Sequence, residues 1–340
     1  MSKSREALTK SQKFGSAACL TAWMMGATWL GIAQAADAVA ATASVAVRNA
    51  DDSPLGPERI KQWCAEVQKA TLAMKWKIQP CEDGVVWKAD RESFQGRPLV
   101  YAEFGDPKSA NTTLVMTMVH GDEITPLYLG LKLSQWMKEN QGSLPSTHVV
   151  IAPLVNPDGF FAEPRTRVNA RGVDVNRNFA TRDWPTHALR AWKKETRSNP
   201  RRFPGSAPGT EPETQFQVAL IQKFKPQKIL SVHAPLNHLD YDGPTPLALN
   251  RFSQDYIQEC LRLRNQLKAR TTGWFPGSLG NYTGQEMGIP TLTLELPTAD
   301  QNLGLRYWNQ FRPGIRTMIE FKVPELSTRG LAKSPEIHDT

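Results

Sequence analysis

Short apolar runs separated by segments of helical period occupy most of the chain from residue 98 onward, and that alternation admits few folds. Residues 98–104 (PLVYAEF), 112–119 (TTLVMTMV), 148–154 (HVVIAPL), 228–232 (KILSV) and 291–296 (TLTLEL) have the length and β-branched content of strands. Between the second and third, Leu129, Leu133, Trp136 and Met137 follow helical spacing, and Ile124, Leu127 and Leu131 widen the apolar face into that of a largely buried helix. Residues 215–224 and 252–268 also read as helices, and 60–87 as a short helix followed by an extended piece. Strands alternating with helices must bury both faces of a sheet. The expected fold is therefore α/β, a mixed, mostly parallel sheet flanked by helices on both faces.

The N-terminus is a separate matter. Lys3, Arg5, Lys10 and Lys13 precede an apolar run over 15–32 that closes in Ala33-Gln34-Ala35, the pattern of a secretory signal peptide over residues 1–35. The run is barely long enough to serve instead as an uncleaved anchor. Residues 36–59, rich in Ala, Asp, Ser and Pro, read as a flexible leader with structure starting near Ile60, and 60–95 as a small N-terminal segment. Residues 96–325 form the main α/β unit and 326–340 a polar tail. The chain is thus expected to be exported, periplasmic, and free of a stable membrane span once the signal is removed. Its formal charge of +8 owes much to the signal, and no run of like charge or aromatic-basic pattern argues for nucleic acid.

Of four cysteines, Cys19 leaves with the signal. In an oxidising compartment Cys64 and Cys81, close together in one short segment, are the expected disulfide pair, with Cys260 a small buried hydrophobe. No Cys-based metal spacing is present, so any metal must be held by histidines and carboxylates.

Candidate groups of that kind cluster at strand ends. His120-Gly121-Asp122-Glu123 follows the 112–119 run, where an α/β sheet opens into its ligand crevice; a His with a carboxylate three residues on can reach one metal ion. His233 ends the 228–232 run, with His238 a competitor in an expected loop. Glu295 interrupts an apolar strand, and either faces outward from an alternating strand or points into the crevice as a base. Two long irregular stretches, 156–181 and 196–212, have the length of functional loops. The first carries NPDG, then Arg165, Arg167 and Arg171, then GVDVNRNF. Several arginines with interleaved asparagines can hold a carboxylate or an oxyanion, or simply form a solvated basic loop.

HGDE, NPDG, TRVNARGVDVNRNF, SVHAP and TLTLELP, in that order, resemble the zinc carboxypeptidases from about residue 95 to residue 324. FPGSAPGTEPET is similar to the family's loop before a sheet-flanking helix, and FPGSLGNYTG to the branch that cuts γ-D-glutamyl-diaminopimelate bonds in peptidoglycan peptides. The resemblance implies one zinc ion held by His120, Glu123 and His233, Glu295 as general base, and Arg167 stabilising the oxyanion. It implies Asn176 and Arg177 gripping a substrate carboxylate, Leu279 in the side-chain pocket, and a peptidoglycan-derived peptide as substrate. Digestive members carry a Tyr where residues 271–274 read TTGW; Tyr282 is the candidate replacement. The alternatives are an N-acyl amino-acid deacylase of the desuccinylase or aspartoacylase type, which shares an HGDE-like element, a general carboxypeptidase, and a non-catalytic cell-wall-binding protein. The last would be expected to have lost a ligand or the base.

Overall fold

The computed structural model describes residues 54–81, 84–144, 146–242 and 275–323. Among them, seven strands form one sheet: β1 (Trp87–Glu92), β2 (Pro98–Gly105), β3 (Thr112–Thr117), β4 (His148–Ala152), β5 (Lys228–His233), β6 (His238–Asp242) and β7 (Thr291–Glu295). Their spatial order is β1-β2-β4-β3-β5-β7-β6. The four strands β4, β3, β5 and β7 are mutually parallel, whereas the pairs β1–β2, β2–β4 and β6–β7 are antiparallel.

Helices α1 (Pro57–Ala73), α2 (Ile124–Asn140) and α6 (Gly304–Glu320) cover one face. Trp63 and Val67 of α1, Leu127 and Leu131 of α2, and Trp308, Phe311 and Ile315 of α6 pack there with Val100, Val115, Val232 and Leu294 of the sheet. Each such side chain taken fully out of water contributes about 1.5–3 kcal/mol before entropy is charged against it. On the opposite face α5 (Pro212–Phe224) presents Phe216, Leu220 and Ile221 to Tyr101, Leu114, Met116 and Ile229. Two short helices, α3 (Pro157–Phe161) and α4 (Trp184–Lys194), lie in the connections.

The face under α5 changes character across the sheet. Beneath α5 it is largely apolar on β2, β4 and β3, with Leu99, Tyr101, Val150, Leu114 and Met116, and with Glu103 and His148 paired toward one end. Toward the far edge the same alternation carries Ser231 and His233 on β5, Thr293 and Glu295 on β7, and His238, Asp240 and Asp242 on β6. The register joins His233 to Glu295 and Glu295 to His238. A polar sheet face needs a solvated crevice or hydrogen-bonding partners, and this one floors a cavity.

Several elements escape a reading by apolar periodicity. β1 (WKADRE) and β6 (HLDYD) are edge strands, each with a face that carries charge. α6 spaces its buried Tyr307, Trp308, Phe311, Ile315 and Met318 helically, but Pro313 inside it is a helix-breaking signal. His238 was expected in a loop and instead opens β6, because its polar neighbours face the cavity. Helical structure begins at Pro57, within the stretch read as leader, with proline suited to the first helical turn. β1 joins the sheet, so the segment over 60–95 is continuous with the rest. The signal, most of the leader, the helix expected over 252–268 with Cys260, the TTGW stretch and the polar tail lie outside the described residues. No helix among those described is long and apolar enough to cross a membrane.

Cys64 and Cys81 are joined, their Cα atoms 5.9 Å apart and 17 residues apart in sequence, tying α1 to the segment before β1. Closing a loop of this size in the unfolded chain is worth about 3 kcal/mol. The Cys64→Ser, Cys81→Ser double variant is therefore expected to lose about 2–4 kcal/mol in urea unfolding monitored by tryptophan fluorescence.

Candidate active site

β3 ends at Thr117, and Met118, buried and at a φ of 56°, turns the chain toward His120. Gly121 follows because nothing larger fits: a Cβ there would lie 2.1 Å from the carbonyl carbon of Gly159 and 2.2 Å from the nitrogen of Phe160. Gly159 is in turn overlaid by the carbonyls of Thr166 and Val168. HGDE and NPDG are thus one packed unit. Asn156 caps α3 by accepting from Gly159 N at 2.9 Å, and its amide donates to the carbonyl of Arg167 at 3.2 Å. Asp158 accepts from Ser93 Oγ at 2.7 Å and from Arg97 Nη1 at 2.8 Å. The arginine loop is therefore positioned by the same motif that sets the turn after β3.

His120, Glu123 and His233 converge at the C-terminal ends of β3 and β5, all three buried. His120 Nδ1 lies 2.7 Å from Glu123 Oε1, His233 Nδ1 lies 3.0 Å from Glu123 Oε2, and the two Nδ1 atoms are 3.1 Å apart. On the far sides of the rings, His120 Nε2 meets Asp174 Oδ1 at 3.1 Å and His233 Nε2 meets Ser231 Oγ at 2.9 Å. With each Nε2–H donating outward, each Nδ1 turns a lone pair inward beside a carboxylate. Three acceptors facing one another repel unless a cation sits among them. Donor atoms about 2.0–2.2 Å from a tetrahedral zinc ion stand roughly 3.3 Å from each other, so this two-imidazole, one-carboxylate set fits zinc with a position left open.

The surrounding charges favour positive charge at this point, whether a proton or a metal ion. Burial pushes the Glu123 carboxyl up, but His120 and His233 outweigh it and hold the group well below the usual carboxylate range. Burial likewise opposes ionisation of Asp174, and Arg167, His120 and Arg177 overcome it. His120 is itself drawn upward by Glu123 and Asp174 although burial and Arg167 push it down, so the site attracts positive charge. Arg167 bridges the two acids, Nη1 to Glu123 Oε1 at 3.1 Å and Nε to Asp174 Oδ2 at 2.9 Å.

The described residues line a cavity of about 440 Å³ in front of this centre. Glu295 enters it from the end of β7, 8 % exposed, with Leu236 N donating to its Oε2 at 3.4 Å. Its inward-pointing alternative is the one realised. Arg167 lines the cavity, whereas its sequence neighbours do not: Arg165 lies over the Phe160 ring and Arg171 over that of Phe94. Asn176 and Arg177 line it as well. Asn176 Oδ1 accepts from Leu279 N at 2.8 Å, and Arg177 lies over Phe275 with burial lowering its pKa to about 10. Leu279 is part of the wall.

Tyr282 is not brought in. Its ring stacks on Phe179 at 5.4 Å in the core under α5, so the described cavity holds no replacement for the expected tyrosine. Unforeseen from sequence are Asp174 and Ser231, which orient the two imidazoles, and Arg202 and Asp242 in the cavity wall. For Asp174 the signal was an acid between Val173 and Val175 in GVDVNRNF, an apolar setting that a carboxylate tolerates only with partners.

A buried two-histidine, one-carboxylate set that could hold a metal ion, opening into a cavity with a further acid and arginines, is the arrangement of a metal-dependent hydrolase. The family profile of the zinc carboxypeptidases, Peptidase_M14, matches residues 91–301, and the chain belongs to that family. It is 34% identical over 208 residues to murein peptide amidase A of Escherichia coli K12, covering 60% of this chain and 78% of that one. It is 30% identical over 219 residues to murein peptide amidase A of Vibrio campbellii, covering 62% and 79%. Its fold is also that of carboxypeptidase A from Helicoverpa armigera, with a TM-score of 0.53 at 18% identity, covering 84% of this chain and 78% of the other.

Two measurements probe the centre. Asp174→Asn keeps the shape but weakens the hold on His120, and is expected to lower zinc affinity 10- to 100-fold in competition with a chromogenic chelator, whereas His233→Ala abolishes stoichiometric binding. Deeper in the loop, the Asn169 amide donates to Glu211 and Glu213 at 2.8 Å each, and burial raises the Glu213 pKa from 4.5 to about 7. The unfolded chain ionises this carboxyl first, so stability falls as pH rises from about 4.5 to about 7, by roughly 3 kcal/mol from this group. Glu213→Gln should flatten that part of the urea-unfolding profile and be the more stable form at pH 8.

Proposed function

We propose that the protein hydrolyses murein peptides next to a free carboxyl end, at the γ-D-glutamyl-diaminopimelate bond. The observation that carries this reading is that the buried His120, Glu123 and His233 set opens into the same cavity as Glu295, Arg167 and Arg177. The 34% identity to a murein peptide amidase supports the substrate class.

In this reading His120, Glu123 and His233 hold one zinc ion, which when bound supplies Lewis acidity that acidifies a water and polarises a carbonyl. Arg177 and Asn176 grip the substrate's terminal carboxylate and set the scissile bond at the cavity mouth. Glu295 takes a proton from the attacking water. The carbonyl oxygen gains negative charge as the carbon becomes tetrahedral, and Arg167 meets that charge with a fixed guanidinium. Glu295 then delivers the proton to the departing amine nitrogen, the carbon–nitrogen bond breaks, and the acid is regenerated as carboxylate. Asp174 keeps His120 in the tautomer that leaves Nδ1 free for the metal and holds Arg167 in place. The N-terminal signal over residues 1–35 supports an exported, periplasmic site of action, where peptidoglycan peptides are found.

The zinc-loaded protein is expected to release free diaminopimelate from L-Ala-γ-D-Glu-meso-diaminopimelate, followed by chromatography. Glu295→Gln should lower kcat by 10²- to 10⁴-fold with zinc content unchanged, and chelation should stop release in the parent protein. Zinc-dependent cleavage of ordinary α-linked peptides alone would replace this reading with that of a general carboxypeptidase.

A further inference from the structure

The cavity holds one guanidinium more than the hydrolytic mechanism uses. Arg167, Arg177, Arg201 and Arg202 all line it. A developing oxyanion accounts for Arg167 and a terminal carboxylate for Arg177. Arg201 is engaged within the protein, its Nη1 lying 2.6 Å from Asp122 Oδ2. The mechanism assigns nothing to Arg202.

The backbone on both sides of Arg202 is fixed. Ahead of it, Asn199 closes a turn by accepting from Arg201 N at 3.0 Å, and the carbonyl of Asn199 accepts from Trp192 Nε1 at 2.8 Å. Behind it, the Phe203 ring packs on Trp192 with centroids 4.9 Å apart, and the Phe203 carbonyl accepts from Asp174 N at 2.8 Å. The Pro204 carbonyl accepts from Asn178 Nδ2 at 2.9 Å. Arg202 is thereby set one residue from a direct contact with Asp174, the acid that holds both His120 and Arg167. Among the described residues no carboxylate pairs with its side chain. Burial and Arg167 press its pKa down, Asp174 opposes them, and Arg201 adds to the fall. Neighbouring guanidiniums repel, and an anion among them relieves that repulsion.

Its place relative to the scissile bond follows from two contacts. The pairing of Arg201 with Asp122 sets the segment 199–202 over the turn between His120 and Glu123, at the end of β3. Leu279 and the edge strand β6 line the cavity beyond β5 and β7, on the other side of the metal centre. A departing residue held there leaves the acyl residue on the side of Arg202.

The acyl residue of a γ-glutamyl peptide carries a free α-carboxylate. It stands four bonds from the scissile carbonyl carbon, about 5 Å when extended at roughly 1.2 Å of advance each. A hydrogen bond of about 3 Å brings it to a guanidinium beside the one that meets the oxyanion. The side-chain carboxylate of an α-linked glutamyl residue lies the same four bonds away.

We propose that Arg202 is a specificity residue for the acyl side of the scissile bond, receiving the free carboxylate of the glutamyl residue while Arg177 receives that of the leaving residue. The assignment rests on the reading of the site as a murein peptidase. Its consequence is that peptides whose glutamyl α-carboxyl is an amide are poor substrates.

The test compares the zinc-loaded parent, Arg202→Gln and Arg202→Lys on peptides differing only in that carboxyl. These are L-Ala-γ-D-Glu-meso-diaminopimelate and its D-isoglutamine counterpart, with an α-linked pair, L-Ala-L-Glu-L-Lys and L-Ala-L-Gln-L-Lys, alongside. The parent is expected to favour the carboxylate member at least tenfold in kcat/KM, mostly through KM, and less so at high salt. Arg202→Gln should bring the ratio close to one and Arg202→Lys retain part of it, with stoichiometric zinc binding showing that each variant is folded. A parent that treats both members alike, or a ratio that persists in Arg202→Gln, overturns the assignment, while turnover of the γ-linked pair leaves the murein reading standing. Turnover of the α-linked pair alone defeats the murein reading, yet its Glu-to-Gln ratio still decides whether Arg202 reads this carboxylate. Should no peptide turn over, calorimetric binding to zinc-loaded Glu295→Gln, with and without Arg202→Gln, decides by the same ratio, and absence of binding overturns both.

Discussion

The arrangement of the site depends on a buried charge imbalance. Glu123 and Asp174 are anionic and fully enclosed, and Arg167, bonded to both, offsets one of them. The two imidazoles add lone pairs on the same side as Glu123. Enclosed anions are costly unless paired, so Arg167 and the buried Arg177, which both lower the Asp174 pKa, are part of what holds the constellation, and a cation among the three acceptors would add to it. The turn after β3, the end of β5 and the GVDVNRNF loop all meet at these charges.

The scaffold can hold such a centre because its strands are parallel where the ligands are needed. β3, β5 and β7 end on the same side, so His120, His233 and Glu295 emerge within one crevice from three separate segments. The candidate ligands stand on a sheet packed on one face by α2 and α6 and on the other by α5, which limits their motion. The long connections contribute what the sheet cannot. Arg167, Asn176 and Arg177 reach the cavity, and Asp174 stands buried behind His120, on a loop locked by the fit of Gly121 against Gly159.

The two walls of the cavity divide the chemical labour. The loop side gathers guanidinium groups, suited to carboxylates and developing negative charge, while the edge strand β6 offers carboxylates and the apolar side chain of Leu279 closes the space between.

Much of this was legible in the chain itself. Apolar runs at strand length and helices at 3.6 spacing determined the α/β class. HGDE, SVHAP and TLTLELP placed His120, His233 and Glu295 at strand ends, where polar residues break apolar patterns, and the family resemblance that these motifs carry implied their roles as metal ligands and base. The cysteine pair followed from proximity in sequence. Tertiary structure separated Arg167, which the resemblance pointed to, from Arg165 and Arg171, and it alone decided that Tyr282 is a core residue stacked on Phe179 and that Asp174, Ser231 and Asp242 belong to the site. The edge strand β6 was also hidden, since its cavity-facing residues are polar and read as loop. The physical reason is common to all of these: periodicity records how a residue meets solvent along its own segment, whereas the direction and partners of a polar side chain are set by segments distant in sequence.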